Sequence, residues 1–255
     1  MADVNTVVPY VALLGDNIEN RDEQTRGFMS GVYASRGNLG YLAELGYSNL
    51  VKSFGAGENL VQNDFYLSYA KYETKYMYKL GFHAIDTNEV LLGSGTTLVG
   101  ALGSYKYEWY DKYSYGSEFY YSMYKSGLTQ LQVTPYFSYF NSISASSSNF
   151  TLVKMNYIVE LDFVSMEMSN TFYYRSVFAT LEGYFGKMRT TLRDGGLSVY
   201  NSLDLMKNGY GVKMGYYLNK NITLSASASF HTVAVYEEEV DTTNRVLAAT
   251  LSYSF

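Results

Sequence analysis

The sequence has no cysteine, and this absence excludes several kinds of site at once. Without a thiol there is no disulfide framework, no thiolate metal site and no cysteine nucleophile. Histidine is nearly as scarce, because only His83 and His231 are present. Lysine and arginine are scattered and the net charge is -5, which disfavours a surface that neutralises several phosphates of DNA or RNA together. We therefore expect no nucleic-acid partner, no metal and no other cofactor.

Proline and long apolar runs are also rare. The longest apolar run covers residues 7–15 and contains Pro9, whereas a membrane-spanning helix needs roughly 20 apolar residues. The first residues contain neither the basic nor the apolar segment of an export signal, so we expect that any such signal has been removed. No Pro/Gly/Ser-rich stretch and no run of charge divides the chain. We expect one domain over residues 1–255.

Residues that favour β-strands are abundant, and apolar and polar residues alternate. Aromatics make up 17% of the chain and 29 residues are tyrosine, which favours strands over helices. Between Ile222 and Phe230 every second residue is apolar, and the residues between them are a threonine and three serines. Such alternation gives a strand one apolar and one polar face. The same period recurs in 39–48, 78–83, 131–139, 153–163, 210–218 and 247–255.

Turn-like residues divide the chain into fourteen predicted strands, and an even number is typical of a single-chain bacterial barrel. The strands are 5–16, 24–34, 38–52, 60–72, 75–85, 95–109, 115–125, 130–141, 149–163, 171–186, 188–203, 208–218, 220–235 and 243–255. Glycines interrupt 188–203 and a Gly/Thr-rich stretch opens 95–109, so twelve strands is the alternative. The predicted external loops are short, and we expect none to plug the interior. They lie near 17–23, 53–59, 86–94, 126–129, 164–170, 204–207 and 236–242.

Alternation alone does not separate a membrane barrel from a soluble β-sandwich. Three further features favour the membrane. The predicted strands are about 10 to 16 residues long, which suits a tilted membrane strand better than a strand of a globular sheet. Charged residues recur in mid-strand on the polar face, where a water-filled interior would hydrate them. Tyrosines gather near strand ends, as in 105–110, where the ring can lie among lipid headgroups. We predict an all-β, closed, antiparallel up-and-down transmembrane barrel.

The final strand adds a more specific indication. It ends in Leu251-Ser-Tyr-Ser-Phe255, with alternating aromatic residues and a terminal phenylalanine. This ending resembles the C-terminal signature of Gram-negative outer-membrane β-barrels, which the assembly machinery of that membrane recognises. The resemblance implies a bacterial outer-membrane location, with outer-membrane lipid and the barrel-assembly machinery as partners. It also implies that Tyr253 and Phe255 form the assembly signal.

A barrel of this size predicts a channel. About eight strands enclose only packed side chains, whereas about 16 to 18 strands leave an aqueous channel, and fourteen is intermediate. We expect a porin-like protein that lets small hydrophilic solutes or ions diffuse through a polar interior. Acidic residues outnumber lysines on the predicted inner face, so we expect a weak cation preference. The predicted pore-lining residues are Glu44, Asp64, Lys79, Lys106, Glu108, Glu118, Lys154, Glu160, Asp162, Glu182, Lys213 and His231.

Several tyrosines also fall on the predicted inner face, and two roles are open to them. Stacked rings would form a slide for sugars, whereas the alternative is that the rings fill space in the interior. These tyrosines are Tyr66, Tyr120, Tyr124, Tyr136, Tyr184 and Tyr217.

Two alternative functions compete with the channel. An outer-membrane hydrolase of the lipase type needs a serine next to a histidine base. Ser229 shares a face with His231, but residues two apart along a strand lie about 6 to 7 Å from each other, too far for a direct hydrogen bond. We therefore expect no catalytic residue and no enzyme. A structural or adhesive barrel is the second alternative, although short loops offer little surface for adhesion.

Overall fold

The computed structural model describes residues 3–18, 25–53, 59–88, 93–108, 111–189, 191–193, 198–200, 205–234 and 241–255. These residues form sixteen strands. The strands are β1 (Val4–Ile18), β2 (Thr25–Gly37), β3 (Tyr41–Ser53), β4 (Asn59–Tyr72), β5 (Tyr76–Thr87), β6 (Gly95–Glu108), β7 (Asp111–Tyr124), β8 (Thr129–Ser144), β9 (Ser147–Ile158), β10 (Phe163–Tyr174), β11 (Val177–Met188), β12 (Thr191–Arg193), β13 (Ser198–Tyr200), β14 (Leu205–Tyr217), β15 (Ile222–Ala234) and β16 (Asp241–Ser254).

Fourteen of these strands form one closed antiparallel barrel. Each strand pairs with its neighbours in sequence, β11 pairs with β14, and β1 pairs with β16 to close the ring. The two short strands β12 and β13 pair only with each other. The predicted closed barrel of fourteen antiparallel strands is therefore confirmed, and the alternative of twelve strands is wrong. In the described part of the chain, no helix has the length and apolar character that crossing a membrane requires.

The predicted strands 149–163 and 171–186 are wrong in their boundaries. Strand β9 ends at Ile158, and β10 occupies the segment 164–170 that was predicted to be an external loop. The turn between β9 and β10 escaped prediction because Val159 and Leu161 continue the apolar alternation through it. The turn contains no glycine, and Asp162 adopts the left-handed conformation in it, with a φ of 51°.

The predicted strand 188–203 is also wrong, because β11 ends at Met188 and the other strand residues described in this segment form β12 and β13, which pair only with each other. The total of fourteen is nevertheless correct, since the unpredicted strand β10 replaces it. The predicted loop 204–207 overlaps the start of β14 at Leu205. In contrast, β6 is a strand from Gly95 onward in spite of its Gly/Thr-rich beginning.

The two ends of the barrel differ in the length of their connections. The end that holds both chain termini, here called the terminal end, has connections of two to four residues: 38–40, 73–75, 109–110, 145–146, 175–176 and 218–221. At the other end, here called the loop end, the connections are 19–24, 54–58, 88–94, 125–128, 159–162, 189–204 and 235–240. Short turns on the periplasmic side and longer loops outside are typical of outer-membrane barrels.

Asp3 ties the start of the chain to the terminal end. Its carboxylate accepts hydrogen bonds from the Tyr41 hydroxyl at 2.7 Å, from Asn38 Nδ2 at 2.8 Å and from Arg36 Nη2 at 2.9 Å. These hydrogen bonds, first from Tyr41 and then from Asn38 and Arg36, lower the pKa of the Asp3 carboxyl below its usual value. The contact joins the residue before β1 to β2 and β3.

The outer face of the barrel is apolar. Leu13, Leu80 and Leu181 point outward and are 58%, 75% and 66% exposed, as expected of side chains that face lipid. Exposed aromatic side chains lie near both ends of this face. Near the terminal end they include Tyr76, Tyr115, Tyr174, Tyr216 and Tyr253, and near the loop end Phe28, Tyr121, Tyr157 and Phe185.

Each proline interrupts one of the two ladders of its strand. Pro9 is paired with Val32 of β2, but the pairing of β1 with β16 jumps from Val7 to Tyr10. Pro135 is likewise paired with β7, while the pairing of β8 with β9 jumps from Val133 to Tyr136. Because proline has no N–H group, one neighbouring ladder loses a donor at each position.

Candidate functional site

The inner faces of β3 to β9 carry large side chains that pack against one another, and we call this part of the interior the packed wall. Tyr66, His83, Tyr120, Gln132 and Asn156 all face inward here, and each is at most 2% exposed. They alternate with outward apolar residues along the strands, so the pleat of the strand places them on the inner face. This wall is filled with polar groups that are hydrogen-bonded to one another.

An ion pair between Glu44 and Lys79 is one centre of the packed wall. Lys79 Nζ lies 2.7 Å from Glu44 Oε2, and the side chains are 14% and 12% exposed. Glu44 also accepts hydrogen bonds from Tyr33 at 2.7 Å, Ser68 at 2.5 Å and Tyr66 at 3.4 Å. Its negative charge is therefore balanced locally.

Asp64 lies at a second centre of the packed wall. Its carboxylate accepts hydrogen bonds from Ser48 Oγ at 3.2 Å and from Gln62 Nε2 at 3.0 Å, and His83 Nε2 lies 3.2 Å away. A carboxylate can only accept, so this geometry implies that His83 Nε2 carries a hydrogen. In the described part of the chain, Asp64 has no contact with lysine or arginine, and it differs from Glu44 in this respect.

A second ion pair joins Glu118 on β7 to Lys154 on β9. Lys154 Nζ lies 3.0 and 2.9 Å from the two carboxylate oxygens, and the side chains are 13% and 11% exposed. The Tyr120 hydroxyl donates to the same carboxylate at 2.6 Å. Both lysines of the packed wall that the sequence predicted to line the pore are thus bound to carboxylates.

Asn156 connects three strands by side-chain hydrogen bonds that the sequence did not reveal. Its Oδ1 accepts from Thr134 at 2.9 Å and from Gln132 at 3.3 Å, and its Nδ2 donates to Glu167 at 2.8 Å. The alternation of β8, β9 and β10 places these side chains on the inner face, but only the register between strands brings them together. Sequence reasoning could have found these contacts only by predicting the register between the strands.

Inward aromatic rings lie flat against the wall, over glycines of neighbouring strands. A β-carbon at Gly31 would lie 2.6 Å from the Tyr10 ring, and one at Gly95 would lie 2.7 Å from the Tyr124 ring. The Phe178 ring covers Gly215 in the same way. Rings in this position occupy less of the interior than rings that project from the wall.

The six inward tyrosines support the space-filling role rather than a slide for sugars. Tyr66, Tyr120, Tyr124 and Tyr184 are buried, so neighbouring side chains cover their ring faces. Tyr136 is half-buried, and Tyr217 is 38% exposed but lies close to the terminal end. A slide needs open ring faces in a row, and the described tyrosines do not form one.

The opposite part of the interior has mainly small side chains, and we call it the open wall. It comprises the inner faces of β14, β15 and β16 together with that of β11, which also carries the larger Phe178 and Tyr184. Inward residues of β14 include Gly209, Gly211, Lys213 and Gly215, and those of β15 include Ser225, Ser227 and Ser229. The open space of the interior therefore lies off the barrel axis, next to these strands.

Glu182 and Lys213 are the two charged side chains of the open wall. Both are exposed, although they face inward from the middle of β11 and β14. Glu182 is paired with Gly211, while Lys213 is paired with Thr180 on β11 and with Ser227 on β15. Within the described residues neither side chain makes an ion pair, in contrast to Lys79 and Lys154.

Eight of the predicted pore-lining residues lie on the inner face of a strand. They are Glu44, Asp64, Lys79, Glu118, Lys154, Glu182, Lys213 and His231. Glu108 was also predicted to line the pore, and its side chain lies outside the described part of the structure.

Lys106 lies on the outer face instead of the inner face. Ala101 is paired with the inward Lys79, so Ala101, Gly103 and Tyr105 face inward and Lys106 faces outward. The prediction failed because the apolar character of Tyr105 suggested that tyrosine was the outward residue. Its ring in fact lies 6.3 Å from that of Tyr72, inside the terminal end.

Glu160 and Asp162 lie in the turn between β9 and β10, not on a strand. Glu160 Oε2 accepts a hydrogen bond from the Leu131 backbone N–H at 2.7 Å. Asp162 Oδ1 accepts one from the Tyr157 hydroxyl at 3.2 Å, on the outer side of the barrel. Both carboxylates therefore belong to the rim of the loop end.

His231 contacts a serine of its own strand. Its Nε2 lies 3.2 Å from Ser229 Oγ, so the expectation that these side chains are too far apart was wrong, because they lean towards each other. A serine nucleophile also needs backbone N–H groups that stabilise an oxyanion. Ser229 is paired with Gly211 on one side and Val246 on the other, so its backbone belongs to two ladders. The backbone of Ser229 is therefore engaged in the sheet and does not offer such groups.

Comparisons with known proteins agree with this fold. No family model matches the sequence, and no curated protein matches it. The CymD monoaromatic hydrocarbon channel superimposes with a TM-score of 0.57 at 9% identity, covering 100% of this chain and 89% of that chain. A TodX mutant channel gives 0.58 at 10% identity, covering 99% and 90%. The Pseudomonas putida toluene transporter TodX gives 0.53 at 9% identity, covering 99% and 89%. The chain has the barrel fold of these outer-membrane channels.

Proposed function

We propose that this chain is a passive channel of a bacterial outer membrane, through which small hydrophilic solutes diffuse. The observation that carries the proposal is the exposure of Glu182 and Lys213 inside a closed barrel. A charged side chain avoids an apolar interior unless it is paired or hydrated. Because these two are unpaired among the described residues, water must reach the middle of the open wall.

The outer face supports the membrane location. Leucines such as Leu80 are exposed around the barrel, and exposed aromatic side chains lie near both of its ends. At the C-terminus, Tyr253 and Phe255 both point outward, with ring centroids 5.6 Å apart. This surface suits outer-membrane lipid as a partner, and an exposed aromatic pair at the end of the last strand suits recognition by the barrel-assembly machinery.

The open wall favours hydrophilic solutes. Serines of β15 and the charges of Glu182 and Lys213 offer hydrogen bonds along the open space. The structural neighbours CymD and the TodX mutant are monoaromatic hydrocarbon channels. A hydrocarbon gains nothing from such donors and acceptors and would have to displace their water. We therefore assign the channel to polar solutes.

A weak cation preference follows from the same charges. The ion pairs balance Glu44 and Glu118, so these carboxylates add little net field. Asp64 and Glu182 have no lysine or arginine partner in the described part of the chain, and Lys213 opposes them with one positive charge. A small acidic excess along a pore attracts cations.

Single-channel recording tests the proposal. The purified, refolded chain would be inserted into a planar bilayer with a salt gradient across it. We expect steady current steps and a reversal potential that favours cations. Glu182→Gln should shift that potential towards anions, and Lys213→Met should shift it towards cations.

The matched control is Lys71→Met with Glu73→Gln, since this exposed ion pair of 2.5 Å lies at the terminal end and not in the lumen. The control should conduct with the wild-type ion preference. A barrel that is folded by circular dichroism but carries no current would contradict the channel, and assays for lipase activity on His231→Ala would then follow.

A further inference from the structure

Glu182 and Lys213 lie diagonally across two neighbouring strands. Glu182 is paired with Gly211 and Lys213 with Thr180, so each charge is two residues from the position opposite the other. Diagonal neighbours of this kind lie about 7 to 8 Å apart between backbones. Opposite charges at this spacing could close into an ion pair, since Glu118 and Lys154 do so even across the intervening strand β8. Here no ion pair forms, and both side chains stay exposed.

Glycines keep these two charges apart. The Glu182 carboxylate lies over Gly211, against the wall, in space that a β-carbon at this position would occupy. Lys213 has glycine at both inward neighbours of its strand, Gly211 and Gly215, so no side chain of β14 screens it. The anionic group thus rests against the wall, and the cationic side chain extends into the open space beside it.

We infer that Glu182 and Lys213 form a binding site for small zwitterionic solutes, the chemical class of free amino acids. The ammonium group of the solute binds the Glu182 carboxylate, and its carboxylate binds Lys213 Nζ. Charge-assisted hydrogen bonds of about 2.8 Å at each end, with the solute between them, span a gap that flexible side chains about 7 to 8 Å apart at the backbone can reach. This inference rests on the proposed channel function and names its solute class.

The site discriminates by requiring both charges. An anion gains one contact at Lys213 but is repelled by Glu182, and a cation meets the reverse. A neutral polyol can use the neighbouring serines, such as Ser227, but gains neither charged contact. Only a solute with both signs satisfies both groups.

Block of the single-channel current by L-serine tests the site, with erythritol as a neutral solute of similar size. In Glu182→Gln and in Lys213→Met, the half-blocking concentration of L-serine should rise at least about threefold. The effect of erythritol should not change. The exchanged variant, Glu182→Lys with Lys213→Glu, should restore the wild-type value, because it keeps both charges on the same two strands.

L-serine should block the control variant, Lys71→Met with Glu73→Gln, at the wild-type half-blocking concentration. If the channel conducts and L-serine blocks all variants equally, the inference is overturned while the channel function stands. Binding of 15N-labelled L-serine to the folded barrel in detergent, followed by NMR, gives a readout that does not depend on conductance. If serine binds but no current flows, the binding site stands and the channel function is overturned. If neither is observed, both are overturned.

Discussion

The side chain of Glu182 lies over Gly211 on the neighbouring strand, so its carboxylate occupies space that any larger residue would need at that position. The two residues are directly paired between β11 and β14. Because glycine has no side chain, a long acidic residue can rest on the wall without narrowing the lumen. The free width of the lumen beside the open wall therefore depends on Gly211, which carries no charge and binds no solute.

Gly211→Ala should push the Glu182 carboxylate into the lumen. The colliding group is the end of a flexible side chain, so we expect it to rotate away and the barrel to fold normally. Single-channel conductance should fall, because the carboxylate narrows the path, and the cation preference should increase, because a negative charge enters the lumen. Gly100→Ala is the control, because a β-carbon there has 4.0 Å to its nearest neighbour. Equal conductance in both variants would contradict the role of Gly211.

Lys79→Met should destabilise the barrel by leaving the Glu44 carboxylate without its partner. The pair is 14% and 12% exposed, and removal of one member of such a pair costs roughly 3 kcal/mol in the free energy of unfolding. Adding Glu44→Gln should recover most of that loss. Lys213→Met should change stability by less than about 0.5 kcal/mol, because that lysine is exposed and unpaired.

Urea unfolding in lipid vesicles, followed by tyrosine and tryptophan fluorescence, measures these differences. If the Lys79→Met single variant and the double variant lose the same stability, the ion pair is not what Lys79 contributes. Equal losses for Lys79→Met and Lys213→Met would contradict the distinction between the packed and the open wall.

Alternation was sufficient to predict the barrel and its inner face, but local turns were not. It placed residues such as Glu44, Lys154 and Lys213 correctly, because a strand in a closed barrel has only two faces. It failed at 159–162, where Val159 and Leu161 maintain the period through a turn that contains no glycine or proline. The prediction thereby extended β9 through the turn and placed most of β10 in a loop.

The contacts within the interior depend on register between strands, which a single sequence does not contain. Lys106 was placed inward because the aromatic residues on either side of it, Tyr105 and Tyr107, suggested the outward register, and only the pairing of Ala101 with Lys79 decides the face. In the same way, the sequence shows that Glu118 and Lys154 are inward, but not that they meet across β8. Charge balance inside the pore is therefore a property of the fold.

Asp3→Asn should loosen the start of β1 at neutral pH, whereas the wild type should loosen there only at low pH. The pKa of Asp3 is lowered in the folded state, so its stabilising contacts are fully present above the ordinary carboxyl pKa of about 3.9 and are lost as pH falls through the lower folded value. Because the chain has no cysteine, Ala2→Cys provides a unique site for a spin label.

The mobility of that label should rise in the wild type as pH falls below about 4, and should already be high at pH 7 in Asp3→Asn. Asp86→Asn is the control, since Asp86 contacts Ser94 near the loop end. A wild-type label whose mobility is the same from pH 7 to pH 2 would show that the Asp3 carboxylate does not hold the strand.

Phe255→Ser separates assembly from stability, because it removes the ring and keeps the backbone hydrogen bonds between Phe255 and Asn5. The Phe255 ring is 60% exposed and stacks on Tyr253 at the end of the outer face, so its loss removes little buried surface. We expect the purified variant to refold in detergent with nearly wild-type stability, while the amount of folded barrel in the outer membrane of producing cells falls at least about tenfold. Tyr76→Ser is the matched control, because it removes another exposed aromatic side chain at the same end and should leave the amount in the membrane nearly unchanged. Heat-modified migration of the barrel on gels measures both quantities. A parallel loss of refolding and of membrane content in Phe255→Ser would mean that the Phe255 ring stabilises the barrel itself, and the assembly role would have to be abandoned.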